Sequence, residues 1–96
     1  MKLTDIIWRD PKALSAEIDG EVVALDIAKG VCYGLDPVGA RVWSLIEHPS
    51  SIEDLCARLM IDYDIEADIC RRDVLDLLAD LRAEGLIEVR PAPPAT

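Results

Sequence analysis

Gly30-Val31-Cys32-Tyr33-Gly34-Leu35-Asp36 decides how this chain folds, because strand pattern precedes it and helical pattern follows it. Upstream, Ala13-Leu14-Ser15-Ala16-Glu17-Ile18 alternates as a strand does, and Asp19-Gly20 supplies the positive φ values of a tight hairpin. Glu21-Val22-Val23-Ala24-Leu25-Asp26-Ile27 is a second, more apolar strand suited to the middle of a sheet, and Ala28-Lys29-Gly30 turns the chain again. The quoted stretch is then the last strand of a meander. A last strand usually lies on an edge, where its outer row of N–H and C=O groups is unpaired. Such an edge is either a liability or a rail for an extended peptide. Alternation puts Val31, Tyr33 and Leu35 on one face and Cys32 and Gly34 on the other. It does not decide whether Val31 and Tyr33 look into the core or into a groove.

Beyond Asp36 the period lengthens. Asp36-Pro37 is a helix start, with Asp at the N-cap and Pro at the first helical position. Val38, Val42, Leu45 and Ile46 recur at helical spacing with Trp43 beside them, and the helix is expected to run up to Pro49, which disfavours helical geometry at His48. Trp43 is expected in the core of a chain that has two Trp, two Tyr and no Phe. Ser50 with Glu53, or Ser51 with Asp54, matches a capping box for a second helix striped by Ile52, Leu55, Cys56, Leu59 and Met60. A third helix from about Glu66 to Glu84 turns Cys70, Val74, Leu77, Leu78 and Leu81 to the core and stops at Gly85. Leu86 to Val89 reads as a short terminal strand. In the lead-in, 1–12, Ile6, Ile7 and Trp8 are too apolar for a free tail and are expected against the domain as a further short strand. The Pro/Ala segment 91–96 is expected to be a disordered tail. The predicted fold is α+β: a three-stranded antiparallel β-meander followed by three helices, winged-helix-like, as one domain over 13–90.

Ninety-six residues, about half of them apolar, support one core and not two. The formal charge of −9 repels nucleic acid and anionic lipid. A DNA-reading winged helix is further disfavoured because Asp73, Asp76 and Asp80 stand against Arg71, Arg72 and Arg82 on the third helix. No apolar run approaches the roughly 20 residues of a membrane span. Met1 to Asp10 lacks the apolar core of a secretory signal, which predicts a cytoplasmic protein. Cys32, Cys56 and Cys70 form no CxxC, and with His48 they fit no zinc framework, so neither metal nor cofactor is expected. His48, in an inter-helix turn before Pro49, has no Cys or Ser catalytic signature around it, and Gly30, Gly34 and Gly39 fall in a turn, a strand and a helix rather than a phosphate loop. Enzymatic activity is not expected.

Asp73, Asp76, Asp80 and Glu84, spaced i, i+3, i+7 and i+11, form one stripe beside the apolar edge marked by Ile69 and Leu77. That stripe is either a solvated face or one wall of a site for a peptide carrying Leu-type anchors together with Lys or Arg.

From Val23 to Val89 the chain resembles the PqqD-like peptide-recognition domains, the RiPP recognition elements. The resemblance is carried by Leu25-Asp26, Gly30, Tyr33-Gly34-Leu35-Asp36, Gly39 and Trp43. It continues through Ser51-Ile52-Glu53-Asp54-Leu55, Leu59, Tyr63, Asp73-Val74, Leu78, Leu81 and Gly85-Leu86. Within the family, Tyr33 to Trp43 is most similar to the stand-alone B1 leader-binding proteins of lasso-peptide clusters. The resemblance implies that the leader of a ribosomally made precursor peptide adds as an antiparallel strand along Val31, Cys32, Tyr33, Gly34 and Leu35. It would lie in a groove against the third helix, with Ile69, Asp73, Asp76, Leu77 and Asp80 on the helix side, and be presented to a leader peptidase or other modifying enzyme. A PqqD-type chaperone for the pyrroloquinoline quinone precursor and an adaptor that pairs through its sheet edge are the alternatives. A homodimer formed through the same edge would compete with the leader. An interface of about 1,000 Å² or less implies micromolar affinity.

Overall fold

Six strands and three helices follow one another along residues 1–93, the part of the chain described in a computed structural model. They are β1 (Ile6–Arg9), β2 (Leu14–Ile18), β3 (Glu21–Asp26), β4 (Val31–Leu35), α1 (Pro37–Leu45), β5 (Ser50–Ser51), α2 (Ile52–Asp62), α3 (Ala67–Ala83) and β6 (Ile87–Arg90). Of the expected tail, 91–93 are exposed and carry no regular structure, and 94–96 lie outside the described residues.

The meander forms as the turn residues dictate. Asp19 and Gly20 both adopt positive φ, 53° and 82°, which lets the β2–β3 hairpin twist with its strands. The sheet order is β2-β3-β4, all antiparallel, so β3 is central and β4 is an edge. Pairing of Val22 with Leu35, Ala24 with Tyr33 and Asp26 with Val31 places these six on one face. That inner face packs on the helices and buries Ala24, Asp26 and Leu35. Cys32 and Gly34 pair with Leu25 and Val23 on the opposite, outer face, where Leu14 and Ile18 are about half exposed at 49% and 55%.

The apolar lead-in does become a strand, and an internal one. β1 sits between β5 and β6 in a second antiparallel sheet, pairing Ile7 with both Ser50 and Val89. Ile7 is completely buried there, so the N-terminal segment ties together the start of α2 and the chain beyond α3.

The helices start where their caps predict. Asp36 accepts a hydrogen bond from the Gly39 amide at 2.6 Å, with Pro37 opening α1. Ser51, not Ser50, caps α2 by accepting from the Asp54 amide at 3.1 Å, while Ser50 is drawn into pairing with Ile7. α1 stops at Leu45, short of the expected end next to Pro49. Ile46 is buried as its C-cap, and the chain must then extend so that Ser50 can reach β1. At the end of α3, Gly85 takes φ 72°, its amide bonds to the Arg82 carbonyl and the Leu86 amide to the Leu81 carbonyl, the paired bonds of a Schellman stop.

Trp43 is 1% exposed and lies in the core with Ile7, Ile46, Leu55, Leu59 and Leu78. Its Nε1 donates to Ser15 Oγ of β2 at 2.6 Å. The Arg9 guanidinium stacks 4.5 Å from its ring centroid and donates twice to its carbonyl, at 2.9 and 2.6 Å. No helix among the described residues is long and apolar enough to cross a membrane.

Candidate functional site

β4 is hydrogen-bonded to β3 on one side, and no strand among the described residues covers its other side. α3 runs alongside that edge. Two side chains span the gap between them. Tyr33 Oη donates to Asp80 Oδ2 at 3.1 Å, and Lys29 Nζ donates to the Gly85 carbonyl at 3.4 Å. These two bridges also fix direction: the start of β4 lies at the C-terminal end of α3, so strand and helix run antiparallel. Lys29 is itself steadied by the buried Asp26, whose Oδ1 accepts from the Lys29 amide at 3.1 Å and whose Oδ2 lies 3.8 Å from Nζ.

Beyond Tyr33, toward the N-terminal half of α3, the elements fail to close and leave a cavity of about 360 Å³. α1 contributes Val38, Gly39 and Val42, α2 contributes Leu59, the connection to α3 contributes Ile65, and α3 contributes Cys70, Val74 and Leu77. Tyr33, Asp36, Asp73, Asp76 and Asp80 complete the lining, so the walls are apolar and every charged group is an aspartate. No Lys, Arg or His lines the cavity among the described residues. Asp73 has an ion-pair neighbour in Arg72 at 3.8 Å; Asp76 and Asp80 have none among the described residues.

This charge acts on Tyr33. Partial burial raises its phenol above the ordinary tyrosine value, and the hydrogen bond to Asp80 adds to it, with the negative charges of Asp80, Asp36 and Glu84 behind that. Burial likewise pushes the Cys56 thiol up to about 11, with Cys70 adjoining it, so this thiol stays protonated near neutral pH. Among the described residues no cluster of three or more His, Cys, Asp or Glu is arranged to hold a metal ion.

The residues singled out in the sequence separate cleanly. Tyr33, Asp73, Asp76, Leu77 and Asp80 meet around the cavity. Val31 is half-buried on the same face as Tyr33, which answers the open question of orientation: both look toward the helices. Leu35 is 6% exposed and belongs to the core, so only its backbone is available at the edge. Cys32 and Gly34 are exposed on the outer face. Ile69, 41% exposed, is not part of the lining. Leu77, expected among the core residues of α3, is half-buried in the cavity wall instead, because its position falls at the margin of the apolar face. Sequence reasoning missed the opposite wall. Asp36 was visible only as a cap, Val38, Val42, Leu59 and Val74 as helix-stripe residues, and Ile65 as an isolated apolar residue in a charged turn.

An unpaired edge strand, a helix running antiparallel alongside it and an apolar cavity opening between them define a small α+β recognition domain with a ready place for an extended chain. Residues 21–87 match the profile of the family described as Coenzyme PQQ synthesis protein D (PqqD), and the chain belongs to that family. Among solved structures, TbiB1 in complex with the TbiA(beta) leader peptide is similar with a TM-score of 0.75 and 34% identity, covering 84% of this chain and 94% of that one. Lasso peptide synthetase B1 complexed with the leader peptide is similar in fold, with a TM-score of 0.72, 24% identity, and 85% and 96% of the two chains covered. No curated protein matches the chain.

Proposed function

We propose that this protein captures the leader of a ribosomally synthesised precursor peptide by strand addition to β4 and presents it to a modifying enzyme. The observation that carries this reading is the open β4 edge, facing α3 across a cavity, in a PqqD-family chain 34% identical to a protein solved with a leader peptide. The leader pairs with the backbone of Val31, Cys32, Tyr33, Gly34 and Leu35, which gives affinity with little sequence preference. Every second leader side chain then faces the groove, where Val31, Tyr33, Asp73, Asp76, Leu77 and Asp80 meet it, with Ile69 on the flank. The protein acts as a binding module without a cofactor, in the cytoplasm. The resemblance of Tyr33 to Trp43 to stand-alone B1 proteins favours lasso-peptide assembly over pyrroloquinoline quinone synthesis, and makes a leader peptidase the receiving enzyme.

Amide NMR of the labelled protein, titrated with the synthetic leader of the precursor encoded beside it, tests this. The expected result is shifts concentrated at Val31 to Leu35 and from Ile69 to Asp80. A folded protein whose β4 and α3 amides stay unmoved overturns the reading, and a partner that pairs edge-to-edge would then be sought by co-purification.

A further inference from the structure

The groove is asymmetric along its length, and that asymmetry constrains the peptide it takes. β4 runs from the Lys29 bridge, at the C-terminal end of α3, toward Asp36, at the mouth of the cavity. A strand added antiparallel to β4 therefore meets the cavity first and passes Tyr33 and Asp80 afterwards. The cavity, with apolar walls from four elements, holds one large aliphatic or aromatic side chain. The next groove-facing side chain comes two residues later, because successive residues of a strand alternate between faces. At that place stands Asp80, which accepts one hydrogen bond from Tyr33 and has no ion-pair partner among the described residues, with Asp76 one turn away.

Resting on the strand-addition reading above, we infer that the groove selects leaders in which a large apolar residue is followed, two positions toward the C-terminus, by Lys or Arg. Charge complementarity is the argument for the cation. Four aspartates ring an apolar cavity, no basic side chain among the described residues lines it, and the whole molecule carries −9. The Tyr33–Asp80 bond leaves the aspartate charge in place while it holds the carboxylate at the edge of β4, where an incoming strand passes. Order follows from the antiparallel geometry: the same two residues in reverse order would put the cation at the cavity and the apolar group at Asp80.

Selection of random twelve-residue peptides by mRNA display against the protein, and in parallel against the Asp76→Lys, Asp80→Lys double variant, tests the inference. Against the parent, enriched peptides are expected to share a large apolar residue with Lys or Arg two positions C-terminal. Replacing that Lys by Gln in a synthesised winner should weaken binding roughly two- to fivefold, and less at high salt. The double variant should instead enrich Asp or Glu at that place, a gain that also shows the variant to be folded. Winners that shift β4 amides but lack the cation, carry it on the N-terminal side, or are unchanged with the double variant overturn the inference and leave strand addition standing. A failure of any selected peptide to shift β4 overturns both.

Discussion

The two edges of the meander lie over the same layer of helices and are finished in opposite ways. Beneath β2, Trp43 fills the core, bonded to Ser15 and stacked on Arg9 from the second sheet. It leaves an outer recess of about 280 Å³, walled by its own ring, Arg9, Ser15 and Glu17. Beneath β4, no large side chain among the described residues plays the part of Trp43; a cavity of about 360 Å³ stays open between the helices, spanned at its margin by one exposed hydrogen bond between Tyr33 and Asp80. Where the chain supplies its own large side chain, burial goes into folding. Where it withholds one, the same kind of apolar surface stays open, and that is the surface proposed for the leader.

The largest effect should come from emptying the filled side. Trp43→Ala removes the biggest buried side chain of an aromatic-poor core and leaves Ser15 and Arg9 without their partner. A loss of about 3–5 kcal/mol is expected, a large share of the stability of a domain of this size and a fall of many degrees in melting temperature. Circular dichroism melts check it; a variant that melts cooperatively within a few degrees of the parent would contradict the assignment of Trp43 as the seal of the β2 side.

Filling the empty side should do the reverse. Val38 is half-buried on α1 and lines the cavity, so Val38→Phe places a ring where the peptide's apolar side chain is proposed to go. The melting temperature should hold or rise, since the added ring enters open space. Leader affinity, read by isothermal calorimetry, should fall tenfold or more, because burying one large apolar side chain contributes about 1.5–3 kcal/mol. Undiminished affinity would mean that the cavity takes no side chain of the leader.

This contrast also marks how far the sequence could be read. The Asp19-Gly20 hairpin, the edge position of β4, the Asp36 and Ser51 caps and the Gly85 stop are all local, and each is legible from a few adjacent residues. The second sheet is visible only in part: Ile6 and Ile7 announce a strand, but the pairing of Ile7 with Ser50 and Val89 joins segments far apart in the chain. The cavity is harder still. Helical period tells which side Val38, Val42 or Leu59 turns inward, but not that four inward-turned surfaces fail to meet. The acidic stripe of α3 could be read because it lies on one element, whereas Ile65 gave no signal because its neighbours are charged.

A smaller effect concerns the bond across the open edge. The raised phenol of Tyr33 means that the folded state holds this proton more tightly than the unfolded chain does. Its contribution is therefore complete below about pH 10, the ordinary tyrosine value, and is lost as pH rises through the raised folded value. Tyr33→Phe should remove that part of the alkaline fall. Urea denaturation of both proteins at pH 8 and pH 11 isolates it, with the gap between parent and variant expected to shrink or reverse at the higher pH. A gap that widens in the parent's favour would assign the opposite sign to the interaction.

The smallest effect belongs to the outer face of the same edge, and it separates backbone capture from side-chain capture. Gly34 has ordinary extended backbone, and a Cβ built there meets nothing within 4 Å, so nothing among the described residues requires glycine. Its side-chain direction is that of Cys32, away from α3 and the cavity. Gly34→Val should therefore leave stability within about 0.5 kcal/mol and leader affinity within about twofold, although it lies in the middle of the strand that the leader is proposed to pair with. A large loss of affinity in a variant of unchanged stability would show that the leader also needs clearance on the outer face. The contrast between a filled and an open side would then have to include the face of the meander that the helices never touch.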